Sequence, residues 1–112
     1  MRSYAQNNED LRLWNVFKDV RGAHTYIDIG AGHPTDLNVT KIFYDAGWSG
    51  INIEPGPNYD ALLADRPRDM NIKCAISNVF GTRKFYVSPI HPDLSSLEGE
   101  GDSIMVETLP LR

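Results

Sequence analysis

Apolar residues recur along this chain in two alternating rhythms. Between about Asn8 and Val20, the residues Leu11, Trp14, Phe17 and Val20 stand three apart. That is close enough to the helical repeat to make one apolar stripe. Asn7, with Asp10 three residues on, is the expected cap of this helix, and Gly22 the expected stop. Tyr26-Ile27-Asp28-Ile29 then predicts a short buried strand that ends at a glycine turn. A second helix is expected from near Thr35 or Asp36, carrying Leu37, Ile42, Phe43 and Ala46 as far as Gly47. Gly50-Ile51-Asn52-Ile53-Glu54 reads as the next strand, closed by Pro55-Gly56-Pro57. Asn58 is placed to cap a short helix through Ala61, Leu62 and Leu63, stopped ahead of Pro67. Residues 71–76 predict a third strand.

Short apolar strands alternating with helices are the signature of a parallel sheet with right-handed crossovers, so the expected class is α/β. After the third strand the rhythm changes. Residues 78–82 read as a turn into a strand at Arg83-Lys84-Phe85-Tyr86-Val87, with no helix before it. A loop rich in Pro, Ser and Gly, residues 88–101, separates it from a further strand at Ser103-Ile104-Met105-Val106-Glu107. No repeats or low-complexity tracts interrupt the pattern.

Composition narrows the class. A chain of 112 residues makes one domain at most, and 41% hydrophobic residues suffice for a core. Eleven basic against fifteen acidic residues give net charge −4, which argues against a nucleic-acid partner, since a basic face is needed to neutralise phosphates. No apolar run approaches the ~20 residues needed to span a bilayer, so no membrane role is expected. The N-terminus lacks an apolar signal region. The single cysteine, Cys74, excludes an internal disulfide, and no Cys/His set with metal-ligand spacing occurs. A reducing, cytoplasmic setting is the expectation.

The chemistry concentrates at the first strand-to-helix turn. Gly30 and Gly32 lack Cβ atoms, which lets the chain turn tightly and a ligand approach the backbone. A dinucleotide fingerprint reads Gly-x-Gly-x-x-Gly, but Thr35 stands where the third glycine belongs. Asp28 lies inside the strand, two residues before the first glycine, and a buried carboxylate needs partners. Glu54 ends the second strand, 24 positions after Gly30. Doubly wound folds place an acid there against ribose hydroxyls. Each feature has a plain structural reading: glycine for packing, a solvated acid at a strand end. Taken together they point to a nucleoside site.

Several stretches then resemble one family. Tyr26-Ile27-Asp28-Ile29-Gly30-Ala31-Gly32-His33-Pro34 is followed by Asn38-Val39-Thr40-Lys41-Ile42-Phe43-Tyr44 and by Gly47-Trp48-Ser49-Gly50-Ile51-Asn52-Ile53-Glu54-Pro55. These, with residues 66–77 and the leading Gln6, Glu9 and Asp10, look like the FkbM-type methyltransferases. The resemblance runs from about Tyr4 to Leu97, and the Gly47–Pro55 stretch is its most specific part. It implies a Rossmann-like class I methyltransferase fold, a parallel sheet with flanking helices, and S-adenosyl-L-methionine as cofactor. It also implies methyl transfer to an oxygen of a sugar or secondary metabolite, so the expected partner is a small-molecule or glycan acceptor. By the same resemblance Asp28, Gly30 and Gly32 line the methionine and adenosyl part of the cofactor, with Ala31 also a cofactor-binding candidate. Glu54 holds the ribose hydroxyls, and Ala75 and Ile76 lie beside the adenine.

Family members continue into an Ile-Asp-x-Glu-Gly strand and further strands, which do not occur before Arg112. Residues 1–112 are therefore expected to be the N-terminal portion of a single domain, binding cofactor weakly and without turnover alone. Competing readings are a nonenzymatic remnant that pairs with a missing half or with itself, and a nicotinamide-dependent enzyme. No catalytic base is assignable. His33, beside the glycine turn, is the best placed of three histidines, ahead of His91 and His24. Asn38 and Thr40 are candidates for contact with cofactor or acceptor from the second helix. Gln6, Glu9 and Asp10 are candidates to cover the cofactor, and Ser95, Ser96 and Leu97 to reach the acceptor. Trp48 and Tyr59 read as packing residues and Cys74 as a small buried hydrophobe.

Overall fold

A computed structural model describes residues 2–22, 24–78, 80–86, 97 and 102–110. Its elements, in chain order, are α1 (Glu9–Phe17), β1 (Thr25–Ile29), α2 (Lys41–Asp45), β2 (Ser49–Ile53), α3 (Tyr59–Asp65), β3 (Met70–Ile72), β4 (Ala75–Ile76), β5 (Gly81–Tyr86) and β6 (Ser103–Leu109). They form two three-stranded sheets. The first is all parallel, in the order β1-β2-β3, and the second is ordered β4-β6-β5. In the second, β6 runs parallel to β4 and antiparallel to β5. The repeated strand–helix–strand units explain the parallel sheet, because each crossover returns the chain to the same end.

Four local expectations change. The second helix begins at Lys41, not at Thr35 or Asp36. His33 Nδ1 accepts the backbone N–H groups of both Thr35 and Asp36, which closes a turn at the point where a helix was expected. Leu37 then takes a left-handed φ of 55°, which a helix does not allow. The first helix ends at Phe17, and Asn7 does not cap it. Asn8, at φ 61°, precedes the helix. Asp10 instead folds back to accept from Ser3 Oγ (2.6 Å), Tyr4 N (2.7 Å) and its own neighbour Leu11 N (2.8 Å).

The predicted strand over 71–76 is split between the sheets. Met70–Ile72 pairs with β2, whereas Ala75–Ile76 pairs with β6, and Lys73 and Cys74 turn the chain from one to the other. Lastly, β1 is only half covered: Ile27 is 64% and Ile29 48% exposed.

The register assigns each strand residue to a face. Asp28 pairs with Asn52, and Asn52 with Asn71, so these three share one face with Tyr26. Ile27, Ile29, Ile51, Ile53, Met70 and Ile72 share the other. Thr40, just before α2, and Arg66, just after α3, reach the polar face through Asp28 and Tyr26. Around them Ile42, Phe43 and Leu62 are buried, with Trp14 edge-on to Phe43 at 5.6 Å. The second sheet has its own small core of Ala75, Phe85 and Val106, against which Leu97 packs.

Candidate functional site

A cleft of about 200 Å³ opens at the C-terminal ends of β1 and β2. Ligands of parallel α/β sheets bind at that end, where the strands deliver their loops. Ile29, Gly30 and Gly32 form one wall, and Ile53, Glu54 and Pro55 a second. Cys74, Ala75, Ile76 and Phe85 complete it. Five of the residues expected at a cofactor are thus brought together: Gly30, Gly32, Glu54, Ala75 and Ile76.

The turn is held by hydrogen bonds to the end of the neighbouring strand. Gly30 N and Ala31 N both donate to Ile53 O, at 2.7 and 3.1 Å. Gly30 and Gly32 have φ of 68° and 69°, a left-handed conformation that favours glycine. Glu54, only 7% exposed, takes Gly32 N on Oε1 (2.8 Å) and Gly56 N on Oε2 (2.7 Å). One carboxylate therefore ties the glycine turn to the Pro55–Pro57 turn across the cleft. Charge-assisted bonds of this kind are short and strong. At Gly56 a Cβ would come within 2.8 Å of Glu54 Oε2 and 3.1 Å of the Phe85 ring, so any larger residue would displace the carboxylate.

Two of the expected residues stand apart from the cleft. Asp28 points to the opposite face of the sheet, where its Oδ2 accepts from Thr40 Oγ1 at 3.0 Å. Burial pushes its carboxyl above the usual range, and nearby Asp69 adds to this, against the opposing pull of Thr40 and Arg66. Ala31 is buried behind the turn, its carbonyl accepting from Asn38 Nδ2 at 3.4 Å. Asp28 also borders a second, more apolar cleft of about 410 Å³, with Leu13, Phe17, Phe43 and Trp48.

The other candidates take structural places. His33 organises the loop after the turn. His24 Nε2 meets Val20 O, and its ring stacks on Trp48 at 4.7 Å. Asn38 and Thr40 are buried beneath the loop rather than facing the cleft. Glu9 Oε2 accepts from Asn7 N, and Gln6 is exposed. Asp10 is fully buried. Burial works to raise its carboxyl, but the bonds from Ser3, Tyr4, Leu11 and Ala5 outweigh it and hold it below the ordinary value. Tyr59 Oη reaches Asn71 O at 3.4 Å. His91, Ser95 and Ser96 lie outside the described residues. Sequence reasoning missed Phe85: nothing in a lone strand shows that the second sheet delivers a ring to the first sheet's cleft. It also missed that Cys74, although buried, lines the same cleft; burial and Glu107 push its thiol up.

The glycine turn, the acid after β2 and the second-sheet wall all lie between Asp28 and Leu109. Residues 28–109 match the model of the methyltransferase FkbM domain. The chain belongs to the FkbM methyltransferase family. No curated protein and no solved structure matches it. The mixed α/β architecture of this FkbM domain, with a parallel three-stranded sheet and helices, is compatible with a methyltransferase-like fold. Among the described residues no group of three or more His, Cys, Asp or Glu is placed to hold a metal. Nor, among the described residues, is any helix long and apolar enough to cross a membrane.

Proposed function

We propose that the cleft between Gly30, Glu54 and Phe85 binds S-adenosyl-L-methionine, and that the domain serves methyl transfer to an oxygen of a small-molecule or glycan acceptor. The observation that carries this reading is the Glu54 carboxylate, fixed by Gly32 N and Gly56 N in the wall of the cleft. A carboxylate offers about four acceptor positions, so it can take a vicinal diol alongside the backbone groups. Ala75, Ile76 and Phe85 offer an apolar wall of the kind a purine ring requires, and at Gly30 no atom lies within 4 Å of where a Cβ would stand. The residues present therefore suit the cofactor.

The cofactor, when bound, supplies an electrophilic methyl group on sulfur. Transfer would then need only an acceptor oxygen aligned with that methyl group and an outlet for the acceptor's proton. The chain's own residues hold and orient: Glu54 the ribose end, the apolar wall the base end. The acceptor side, and any pairing of this chain with another, belong to the proposal too.

A nicotinamide dinucleotide fits less well. Its pyrophosphate needs a helix N-terminus directly after the glycine turn, whereas α2 starts only at Lys41, beyond the turns at His33–Thr40. Calorimetric titration with S-adenosylhomocysteine and, separately, NAD distinguishes the two. Saturation by the first alone is expected; saturation by NAD alone would overturn the proposal.

A further inference from the structure

Beneath the glycine turn lies a hydrogen-bond network that touches no part of the cleft. Its centre is Arg66, only 1% exposed, at the C-terminal end of α3. A guanidinium has five N–H donors in a fixed fork, and here those of Nη1 and Nη2 reach β1, the loop before α2 and the turn before β3. Nη2 donates to Pro34 O (3.1 Å) and Asn38 Oδ1 (2.9 Å). Nη1 donates to Tyr26 Oη (3.1 Å), Thr40 Oγ1 (3.3 Å) and Asp69 Oδ2 (3.4 Å). The Tyr44 ring lies 4.9 Å from the guanidinium carbon.

Asn38, also 1% exposed, carries the network to the turn. Its Nδ2 donates to His33 O (2.9 Å) and Ala31 O (3.4 Å). Its Oδ1 accepts from Lys41 N (2.7 Å) as well as from Arg66, and its backbone N–H goes to Tyr4 O (3.0 Å). The carbonyls of Ala31, His33 and Pro34 are therefore all drawn to one side, by Asn38 and Arg66. The N–H groups of Gly30, Ala31 and Gly32 are drawn to the other, by Ile53 O and Glu54. A short segment gripped by its donors on one side and its acceptors on the other has little freedom to rotate its peptide planes.

We propose that Asn38 and Arg66 are positioning residues for the cofactor turn, fixing Gly30–Gly32 from the far side of the sheet. The inference rests on the cofactor reading for its functional meaning, but not for its geometry. Removing the arginine side chain would leave Asp69 buried without its cation and risk unfolding. Asn38→Asp is the gentler change: it keeps an acceptor for Arg66 and Lys41 but replaces the donor to Ala31 O and His33 O by a second acceptor. Arg66→Lys keeps the charge and loses the fork.

The test compares amide hydrogen exchange at two bonds of the whole chain. One is Gly32 N to Glu54 Oε1, in the turn; the other is Glu54 N to Ile72 O, in the sheet. In Asn38→Asp and Arg66→Lys, Gly32 protection should fall at least ~10-fold more than that of Glu54. Affinity for S-adenosylhomocysteine should fall by a similar factor. Equal losses at both amides, or none at Gly32, would show a merely structural role and overturn the proposal. If the unsubstituted chain does not bind S-adenosylhomocysteine, the cofactor reading fails, and the exchange comparison still decides the positioning.

Discussion

Tyr26, Asp28, Asn52 and Asn71 line one face of the parallel sheet; Ile27, Ile29, Ile51, Ile53, Met70 and Ile72 line the other. Burial does not follow polarity here. Asn52 is 1% exposed on the polar face, while Ile27 is 64% and Met70 61% exposed on the apolar one. The polar face sits against Arg66 and Asp69, whose side chains are 2% and 0% exposed in a 3.4 Å ion pair. Such a pair is a poor source of stability in itself, because desolvation offsets most of the attraction. What it supplies is position: its bonds run to the loop that carries the glycine turn. The difference between the faces is thus one of task. The polar face holds a loop still, and the apolar face carries the strand ends that line the cleft, Ile29 and Ile53.

The contrast can be broken first at its centre. Arg66→Ala leaves Asp69 buried without its cation and should cost about 3–5 kcal/mol, read from urea unfolding. A loss under about 1 kcal/mol would mean that the network bears little of the fold. The next test sets one face against the other. Asn52→Ala removes donors to Asp69 Oδ2 (2.8 Å) and Asn71 Oδ1 (2.9 Å) and should cost about 1–3 kcal/mol. Ile27→Ala, at an exposed position, should cost less than about 1 kcal/mol. The reverse order would show that burial, not hydrogen bonding, ranks the two faces.

Smaller effects concern pH, and two acids should behave oppositely. Asp28 has a raised pKa, so the folded state holds its proton more tightly than the unfolded chain does. Its contribution is complete below the unfolded value of 3.8 and is lost as pH rises through the folded one. Asp28 also pairs in register with Asn52, whose Oδ1 is buried without a hydrogen-bond partner. Asp28→Asn should therefore raise the Tm at neutral pH, with the gain shrinking as pH falls toward 3.8. Asp10 has a lowered pKa, so its stabilisation is present above 3.8 and is lost on acidification. Asp10→Asn should lower the Tm at neutral pH and matter progressively less in acid. A Tm gain for Asp28→Asn that does not vary with pH would contradict the assignment of its cause.

How much of this was legible in the sequence follows from the range of the interactions involved. The strand–helix rhythm and the places of β1 and β2 were readable because they rest on local periodicity. So was the placement of the glycine turn and Glu54 at the ends of two neighbouring strands. The start of α2 was not: a histidine ring nitrogen closing a turn on Thr35 and Asp36 overrides helix propensity without a periodic trace. The direction of Asp28 could have been read, since alternation from Ile27 and Ile29 places it on the other face from them. Arg66 and Phe85 could not. One reaches from the end of α3 and the other from a separate sheet, and most of what they meet lies far away in the chain.

Isothermal titration of the chain with S-adenosylhomocysteine, before and after Glu54→Gln, tests the central claim most directly. Saturable, weak binding is expected from the unsubstituted chain. It should fall by at least ~10-fold in Glu54→Gln, as one charge-assisted contact is lost. Binding that is unchanged by the substitution, or no binding except to NAD, would contradict the assignment of the cleft.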